Sequence, residues 1–467
     1  MNVLGRVWLA AGALAAGAFL GDHHAGGSTP IAIALASAAV LLRRRSVVRP
    51  AAIAALCFAL GWLSAGARAG RITAVEVLAR DASRCELAGR VLEGAGGLGT
   101  LAAVDLAGCS SQSPIGSAGV VIFDQPAPAG SRFRGEGHLL PLGTDNFDVA
   151  RRRLGADAAW EPTRLSLRSP PPGPFRLAAA IRQGLAAASR SLGRRGALLR
   201  GLALGDTADI APSTIEAFRR SGLSHLLAVS GSNVAIVLAA VGLLVIGLPL
   251  RVRVVAGGAA LALFVLVVGP EPSVLRAAAM GGMALLALAL GRRVEPLQGL
   301  GLAVVAVIGA RPQMVFSVGL QLSIAATAGL ILFSAPLSRR IHFVRPVGLA
   351  LAATLGAQLG VAPVLIATFG ELSLIAPLAN VLALPAVPPA TVLGLAGAVI
   401  GAVDPRVGGV IVALAGPFVS WILFCGEKFA EPGWATVELG RAWACALSAV
   451  VLIAAWLSLR RRPWVPG

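Results

Sequence analysis

"SGLSHLLAVSGSNVAIVLAAV" runs from Ser221 to Val241, and no formal charge separates Arg220 from Arg251. An uncharged apolar run of that length reads as a membrane span. Its first half nevertheless holds His225, Ser230, Ser232 and Asn233, with Gly231 between the serines. Polar side chains at membrane depth usually face a bundle interior or a water path. Ser230-Gly231-Ser232 is suited to interrupting a helix, and exposed backbone groups are tolerated there only beside protein or a cavity. Helix packing accounts for the same residues, because small side chains permit close approach and Ser and Asn bond across helices. On the residues alone the two readings are level.

Outward from this stretch the apolar character continues. Of 467 residues, 56% are hydrophobic and 13% charged, with a mean hydropathy of +0.80. Long apolar runs recur from residue 223 onward, which predicts a polytopic α-helical membrane protein rather than a barrel of short alternating strands. Spans are expected over 224–249, 252–269, 274–291, 297–310, 313–334, 346–368, 374–403, 407–425 and 440–459. "APLANVLALPAVPPA" (376–390) carries four prolines, so its helix must kink or break. Three further apolar stretches, Val3–Leu20, Ile31–Leu42 and Ala51–Ala67, precede a mixed polar segment. The first of them reads as a retained anchor rather than a signal peptide.

The division expected is N-terminal spans over 1–69, a small extracytoplasmic β domain over 70–172, connecting helices over 173–222, a membrane domain over 223–460 and a basic tail over 461–467. Within the β segment, "RITAVEVLA", "CELAGRVLE", "LAAVDLAG" and "AGVVIFD" read as strands. "SPPPGPF" (169–175) reads as a stiff linker, and the Arg-studded stretch 176–200 as an amphipathic helical region suited to a membrane surface. Basic clusters at 43–49, 251–253, 291–293, 339–345 and 460–462 are expected on the cytoplasmic side. Alternation then places 70–222 and the loops near Glu271, Glu371 and Glu427 outside. Of five cysteines, Cys57, Cys425 and Cys445 fall in apolar runs. Cys85 and Cys109 fall in the segment assigned to an oxidising compartment, where a disulfide between them is expected.

Net charge is +18 and the sequence pI about 11.6. Such a balance suits an anionic partner, nucleic acid or acidic lipid. It equally fits a bias toward Arg, with Lys428 the single lysine and no tyrosine. "GDHHAGG" (21–27) has no accompanying cysteine or carboxylate cluster and reads as a loop, so no metal is expected. "LEGAGGLGT" (92–100) is glycine-rich but opens no helix, which argues against a dinucleotide site. No GxxxxGK[ST] occurs, so no ATPase motor is expected in this chain and no cofactor is called for.

"GPEPSVLRAAAMGG" (269–282) is a second polar constellation. Pro272 and Ser273 suit a helix start, and Arg276 follows within about one turn. Its guanidinium is able to bind phosphate, to snorkel, or to pair with Glu271. Gln313, Gln321, Ser323, Gln358 and Asn380 add polar groups to later spans. Each alone suits packing, and together they favour a polar path. Other readings stay open. An intramembrane serine hydrolase would use Ser230 with His225, yet five positions on an unbroken helix set them about 140° apart at ~100° per residue. A secondary transporter of a small anion would use Arg276, and a bland assembly scaffold would use none of these.

"GLALGDTADIAPSTIEAFRRSGLSHLLAVSGSNVAIV" (201–237) resembles the signature of the ComEC-type DNA-internalisation channels of bacterial competence. The Gly205-Asp206 pair, Phe218 and the run from Gly222 to Gly231 carry the likeness. Many members have Leu-His where this chain has Ser232-Asn233. "PSVLRAAAMG" (272–281), "FSVGLQLSIAATAGLIL" (316–332) and "QLGVAPVLIATFGELSLIAPLANVLALP" (358–385) are similar to successive family segments in order, and "DNFDVARRRL" (145–154) to the end of the family's OB-like domain. The resemblance implies a multi-pass protein of the bacterial cytoplasmic membrane that passes single-stranded DNA inward. The DNA path would take in Asp206, His225, Ser230, Gly231, Ser232, Asn233, Arg276, Gln321, Gln358 and Asn380. It also implies a separate DNA receptor and a cytoplasmic ATPase or helicase as partners, besides membrane lipid. The β domain would receive the strand with Arg132, Arg134 and Arg151–Arg153, and with limited stacking from Phe123, Phe133, Phe147 and Trp160. Many relatives carry a metallo-β-lactamase-like domain, but no HxHxDH occurs here. No nuclease activity, and no enzyme activity, is carried over.

Overall fold

The structure, a computed structural model, describes residues 73–80, 84–96, 99–109, 115–125, 127–143, 151, 156–169, 173–227, 229–341 and 343–439, with scattered positions from 443 to 451. The N-terminal apolar stretches, the "GDHHAGG" loop, Phe147, Arg152, Arg153, Cys57, Cys445, the basic tail and most of the last expected span lie outside these. The chain divides into two compact units. One contains the β domain and runs to Ala180, and the other takes most of the chain from Ile181.

Among the described residues the first unit begins with α1 (Ala74–Ala79), where a strand was expected. Thr73 caps it, its hydroxyl accepting from the Glu76 amide at 3.3 Å. Thr-x-x-Glu is a helix-start signal that overrides the β-branched content of the stretch. Five strands follow: β1 (Arg84–Gly96), β2 (Gly99–Cys109), β3 (Ile115–Phe123), β4 (Arg132–Pro141) and β5 (Ala158–Ser169). They close into a barrel in the order β1-β2-β3-β5-β4, with β1 returning to β4 and only β3 and β5 parallel. This is the OB-like barrel expected, and closure leaves no free sheet edge.

Period-two alternation builds the barrel core. Along β4, Phe133, Gly135, Gly137 and Leu139 point inward while Arg132, Arg134, Glu136 and His138 face out. Phe123, Phe133 and Trp160 meet in the centre, with ring centroids 5.4 to 5.9 Å apart. All three are at most 2% exposed. The expected stacking role for these rings is therefore corrected: they are the core, and they face no ligand. Gly135 makes room for Trp160, since a methyl there would come within 2.9 Å of the indole. Cys85 and Cys109 stand opposite one another in the β1–β2 register and are joined by a disulfide. Outside, Arg134 pairs with Glu86 and Arg84 with Glu136 across β1 and β4. Asp157 accepts from the Val120 amide at 2.7 Å beside Gly119, which sits at φ +136°. Burial holds its carboxyl above the ordinary range despite that bond.

After the barrel come α2 (Gly173–Ala188), a single 3-10 turn over Arg190–Leu192, α3 (Arg194–Leu204) and α4 (Pro212–Arg220). The surface-helix expectation for 176–200 fails at α3, where every residue from Gly196 to Leu204 is buried. Arg200 is tolerated there because it bonds Ser189 Oγ at 3.0 Å and pairs with Asp206 and Asp209. Those carboxylates offset the desolvation cost of a guanidinium that would be far more costly without them, and sequence spacing alone does not reveal them.

The apolar helices follow: α5 (Gly231–Leu244), α6 (Leu250–Val268), α7 (Pro272–Ala289), α8 (Pro296–Ala310), α9 (Val318–Ser338) and α10 (Arg345–Phe369). A short β6 (Glu371–Ser373) leads to α11 (Ala376–Ala383), α12 (Val387–Gly401) and α13 (Pro405–Lys428), and β7 (Thr436–Glu438) pairs back with β6. α6, α7, α9, α10, α11–α12 taken together, and α13 are long and apolar enough to cross a membrane, and α5 and α8 are shorter apolar helices. This is a multi-pass membrane protein. The expected span 224–249 is corrected: its helix begins only at Gly231. The expected break in 376–390 falls at a 3-10 turn over Leu384–Ala386.

Glycines set the closest helix contacts. A methyl on Gly329 of α9 would strike the Gly356 carbonyl and the Gly360 backbone of α10. One on Gly360 would strike the Ala325 carbonyl. A methyl on Gly408 of α13 would strike the Gly401 backbone of α12, one on Gly397 of α12 would strike Val412 of α13, and one on Gly401 would strike the Gly184 backbone of α2.

Candidate functional site

The stretch 221–234 is not one helix but a staircase. Gly222 takes φ +74° after α4, which turns the chain. A 3-10 turn covers Ser224–Leu226, and Ser230 is extended before α5 begins at Gly231. Two contacts pin this break. Ser273 Oγ, on the first turn of α7, donates to the Val229 carbonyl at 2.6 Å. Asn233 Nδ2 donates to the Leu202 carbonyl at 2.7 Å, and Asn233 is 3% exposed. Leu202 lies in the last turn of α3, whose carbonyls have no intrahelical partner. Asn233 thus closes off α3 as it opens α5. Gly205, at φ +75°, ends α3 in the left-handed conformation and packs against Val229.

Arg276 of α7 comes to the same place. Its guanidinium covers Gly231 so closely that a methyl on Gly231 would overlap Nη2 and come within 3.4 Å of Cζ. Nε donates to Ser323 Oγ of α9 at 2.8 Å, and Nη1 reaches Met280 Sδ at 3.3 Å. Ser230 and Ser232 share a hydroxyl–hydroxyl bond, and Ser230 Oγ also donates to Asn233 Oδ1 at 3.4 Å. Ser230, Gly231, Ser232, Asn233 and Arg276 therefore converge, although Arg276 is 44 positions or so beyond the others. Ser323 belongs with them. Ser273 and Ser323 were visible in the sequence as polar residues at or within spans, but nothing there linked them to this group.

The remaining residues fall elsewhere. Asp206 is exposed just past the end of α3 and pairs with Arg200 at 3.6 Å. His225 is exposed on the 3-10 turn, and among the described residues no hydrogen bond joins it to Ser230. Gln321 is exposed on α9. Gln358 of α10 donates to the Ser373 carbonyl at 3.0 Å, and Ser373 Oγ donates to the Arg220 carbonyl at 2.8 Å. Gly222 packs on Ala376 beside this second knot. Asn380 bonds the Ala376 carbonyl of its own helix at 2.8 Å, a packing role. Arg194–Glu427 and Arg219–Glu371 pairs tie α3 and α4 to the ends of α13 and β6. Arg190, Arg194 and Arg200 also line a cleft of about 470 Å³ with Asp209 and Thr214. Among the described residues, no group of three His, Cys, Asp or Glu side chains is placed to hold a metal.

The family described as Competence protein matches residues 202–464, more than half of the chain. "ComE operon protein 3" of Bacillus subtilis (strain 168) is 29% identical over 192 residues, 40% of this chain and 24% of that protein. The chain thus spans about a quarter of the length of the curated relative it matches. No solved structure matches.

Proposed function

The chain belongs to the Competence protein family, and from that premise we propose that it is a channel carrying single-stranded DNA inward across the cytoplasmic membrane. The observation that carries the proposal is the interrupted span at Leu227–Gly231, which lies inside the family match and gathers Ser230, Ser232, Asn233 and Arg276 from two helices. Backbone left unpaired at membrane depth is tolerated beside a cavity or polar path. The OB-like barrel receives the strand on the extracytoplasmic side through its exposed arginines, by charge rather than by stacking. No nucleotide-binding loop is present, so an ATPase or helicase partner supplies force and a separate receptor supplies the strand. The protein acts as a conduit, and its Ser230 hydroxyl is engaged by Ser232 and Asn233.

Complementation tests the proposal. The chain is expressed in a competent bacterium lacking its own channel but keeping its other uptake proteins. Labelled DNA that becomes nuclease-protected and cytoplasmic is measured. Uptake restored by the wild-type chain is expected. Purified protein in vesicles that passes no strand under an applied potential, after failed complementation, overturns the reading.

A further inference from the structure

The barrel's outer surface has two unlike faces. On β2 and β3, Leu101 and Ile122 alternate with the inward residues and are still buried, because Leu142 and Ala156 join them in a second apolar cluster. Arg151 pins that cover, pairing with Asp124 just past β3 while its carbonyl accepts from the Ala156 amide. OB barrels ordinarily bind oligonucleotides across strands 2 and 3, and here the chain itself occupies part of that face. On β1, β4 and β5 the outward positions are open. Arg90 stands directly opposite Arg132 in the β1–β4 register, and Arg132 opposite Ser169 of β5, next to Arg168. All three arginines are exposed. Arg168 acts on the Glu86 carboxylate, which places it on the same face. The row is held firmly, since the Val91 amide donates to the Ser131 carbonyl at 2.9 Å and the Gly130 amide to the Val91 carbonyl at 2.8 Å. Further along the face, Arg134 is already paired with Glu86 and Arg84 with Glu136. Among the described residues Arg90, Arg132 and Arg168 join no ion pair, and no carboxylate shares their row. Like charges directly opposite on adjacent strands are destabilising, and a polyanion lying on the row removes that repulsion.

We infer that Arg90, Arg132 and Arg168 form a basic row that takes successive phosphates of a single DNA strand crossing β1, β4 and β5 instead of β2 and β3, a reading that rests on the channel proposal above. Adjacent strands lie about 4.8 Å apart, so the row is about 10 Å across. A guanidinium meets the non-bridging oxygens of a phosphodiester with two parallel donors. The next outward positions are Ala88, Arg134 and Ser166, while Phe123, Phe133 and Trp160 are in the core. The row therefore holds the strand's backbone and ignores its bases. A bilayer surface fits less well, because docking there needs a broad apolar face beside the charge. Among the described residues, Leu92 and Leu167 are the large apolar side chains exposed near the row.

The test uses the full chain in phosphatidylcholine nanodiscs and the anisotropy of a dye-labelled oligodeoxythymidylate, read against salt concentration. The triple variant Arg90→Gln, Arg132→Gln, Arg168→Gln is expected to weaken binding by about tenfold and to lower the salt slope by about 2, at about 0.7 for each phosphate on a single strand. Lysine at the same three positions is expected to keep the slope, since counterion release follows charge. An abasic oligomer is expected to show the same loss in the glutamine variant. Leu106→Ser, on the exposed outer side of β2, is expected to leave binding unchanged. Amide protection along β4 checks that the barrel is intact. If the triple variant loses it, Arg132→Gln alone carries the test, with a slope lower by about 0.7. Equal binding and slope in wild type and the glutamine variant overturn the row and leave the channel reading standing. A wild-type chain that neither binds nor passes the oligomer overturns both. Retention of phosphatidylglycerol by wild type but not by the glutamine variant, with equal oligomer binding, assigns the row to lipid and overturns the inference.

Discussion

Replacing Gly231 by alanine sets two effects against each other. Alanine in place of a helical glycine ordinarily stabilises by about 0.5–1 kcal/mol. Here the added methyl would overlap Nη2 of Arg276 and sit 3.3 Å from Ala277 Cβ. The guanidinium has to swing away, and the bond from Nε to Ser323 at 2.8 Å is the contact it loses. A hydrogen bond from a charged group is worth about 1.5–3 kcal/mol. The steric effect wins, and Gly231→Ala is expected to destabilise by about 1–2 kcal/mol. Reversible unfolding in mixed detergent micelles measures this. The decisive form is a double-mutant cycle with Arg276→Gln, whose shorter side chain vacates the space. In that background Gly231→Ala should be neutral or stabilising, with a coupling of about 1–3 kcal/mol. Additive costs in the two backgrounds would refute the reasoning, because the methyl would then be meeting something other than the arginine.

Other outcomes follow from the contacts described. Asn233→Asp should cost more than Asn233→Ala by about 1 kcal/mol or more, since Asp offers no donor to the Leu202 carbonyl and buries a charge; micelle unfolding reads the difference. Trp160→Ala should destabilise the barrel by about 3–5 kcal/mol. Trp160→Phe should cost much less, because the buried indole Nε1 has no hydrogen-bond partner to lose; amide exchange along β4 reports both. Asp157 is held above its ordinary range by burial, so the unfolded chain ionises first as pH rises. The barrel is then most stable below the ordinary carboxylate value of about 4 and loses that contribution as pH rises through the folded value. Protection of the Val120 amide should fall over that interval and become flat in Asp157→Asn. Removing the disulfide with Cys85→Ser and Cys109→Ser should cost about 3 kcal/mol for a loop of this length, again read by amide exchange.

The membrane architecture was legible because apolar runs and glycine or proline breaks are local signals. The interruption at Ser230-Gly231 and the break near Leu384 were both visible that way. The barrel was half legible: β1, β2 and β3 contain β-like pieces that stood out in the sequence, but β4 alternates Arg, Glu and His with Phe, Gly and Leu, and β5 carries Pro162 in its middle. Their alternation matters only once closure decides which face is inside. The stretch before β1 was misread through its β-branched residues, although Thr73 and Glu76 stood at capping-box spacing. α3 was misread because its buried Arg200 is neutralised by Asp206 and Asp209 after the helix turns back. At the candidate site the residue types were visible and their meeting was not. Ser323 lies 47 positions from Arg276, and the reason position 231 is a glycine is a side chain from another helix.

The backbone contact between α9 and α10 bears on how such a bundle moves. Side chains between helices act as a compliant layer that can change rotamer as the helices slide. Gly329, Gly356 and Gly360 remove that layer, so carbonyls meet backbone directly. Sliding or rolling one helix against the other must first lift them apart, which closely packed interiors resist. The two helices therefore travel as one stiff plate, 21 and 25 residues long. Any opening stroke has to be hinged at the plate's margins, and Ser323, riding on that plate, would carry its hold on Arg276 along.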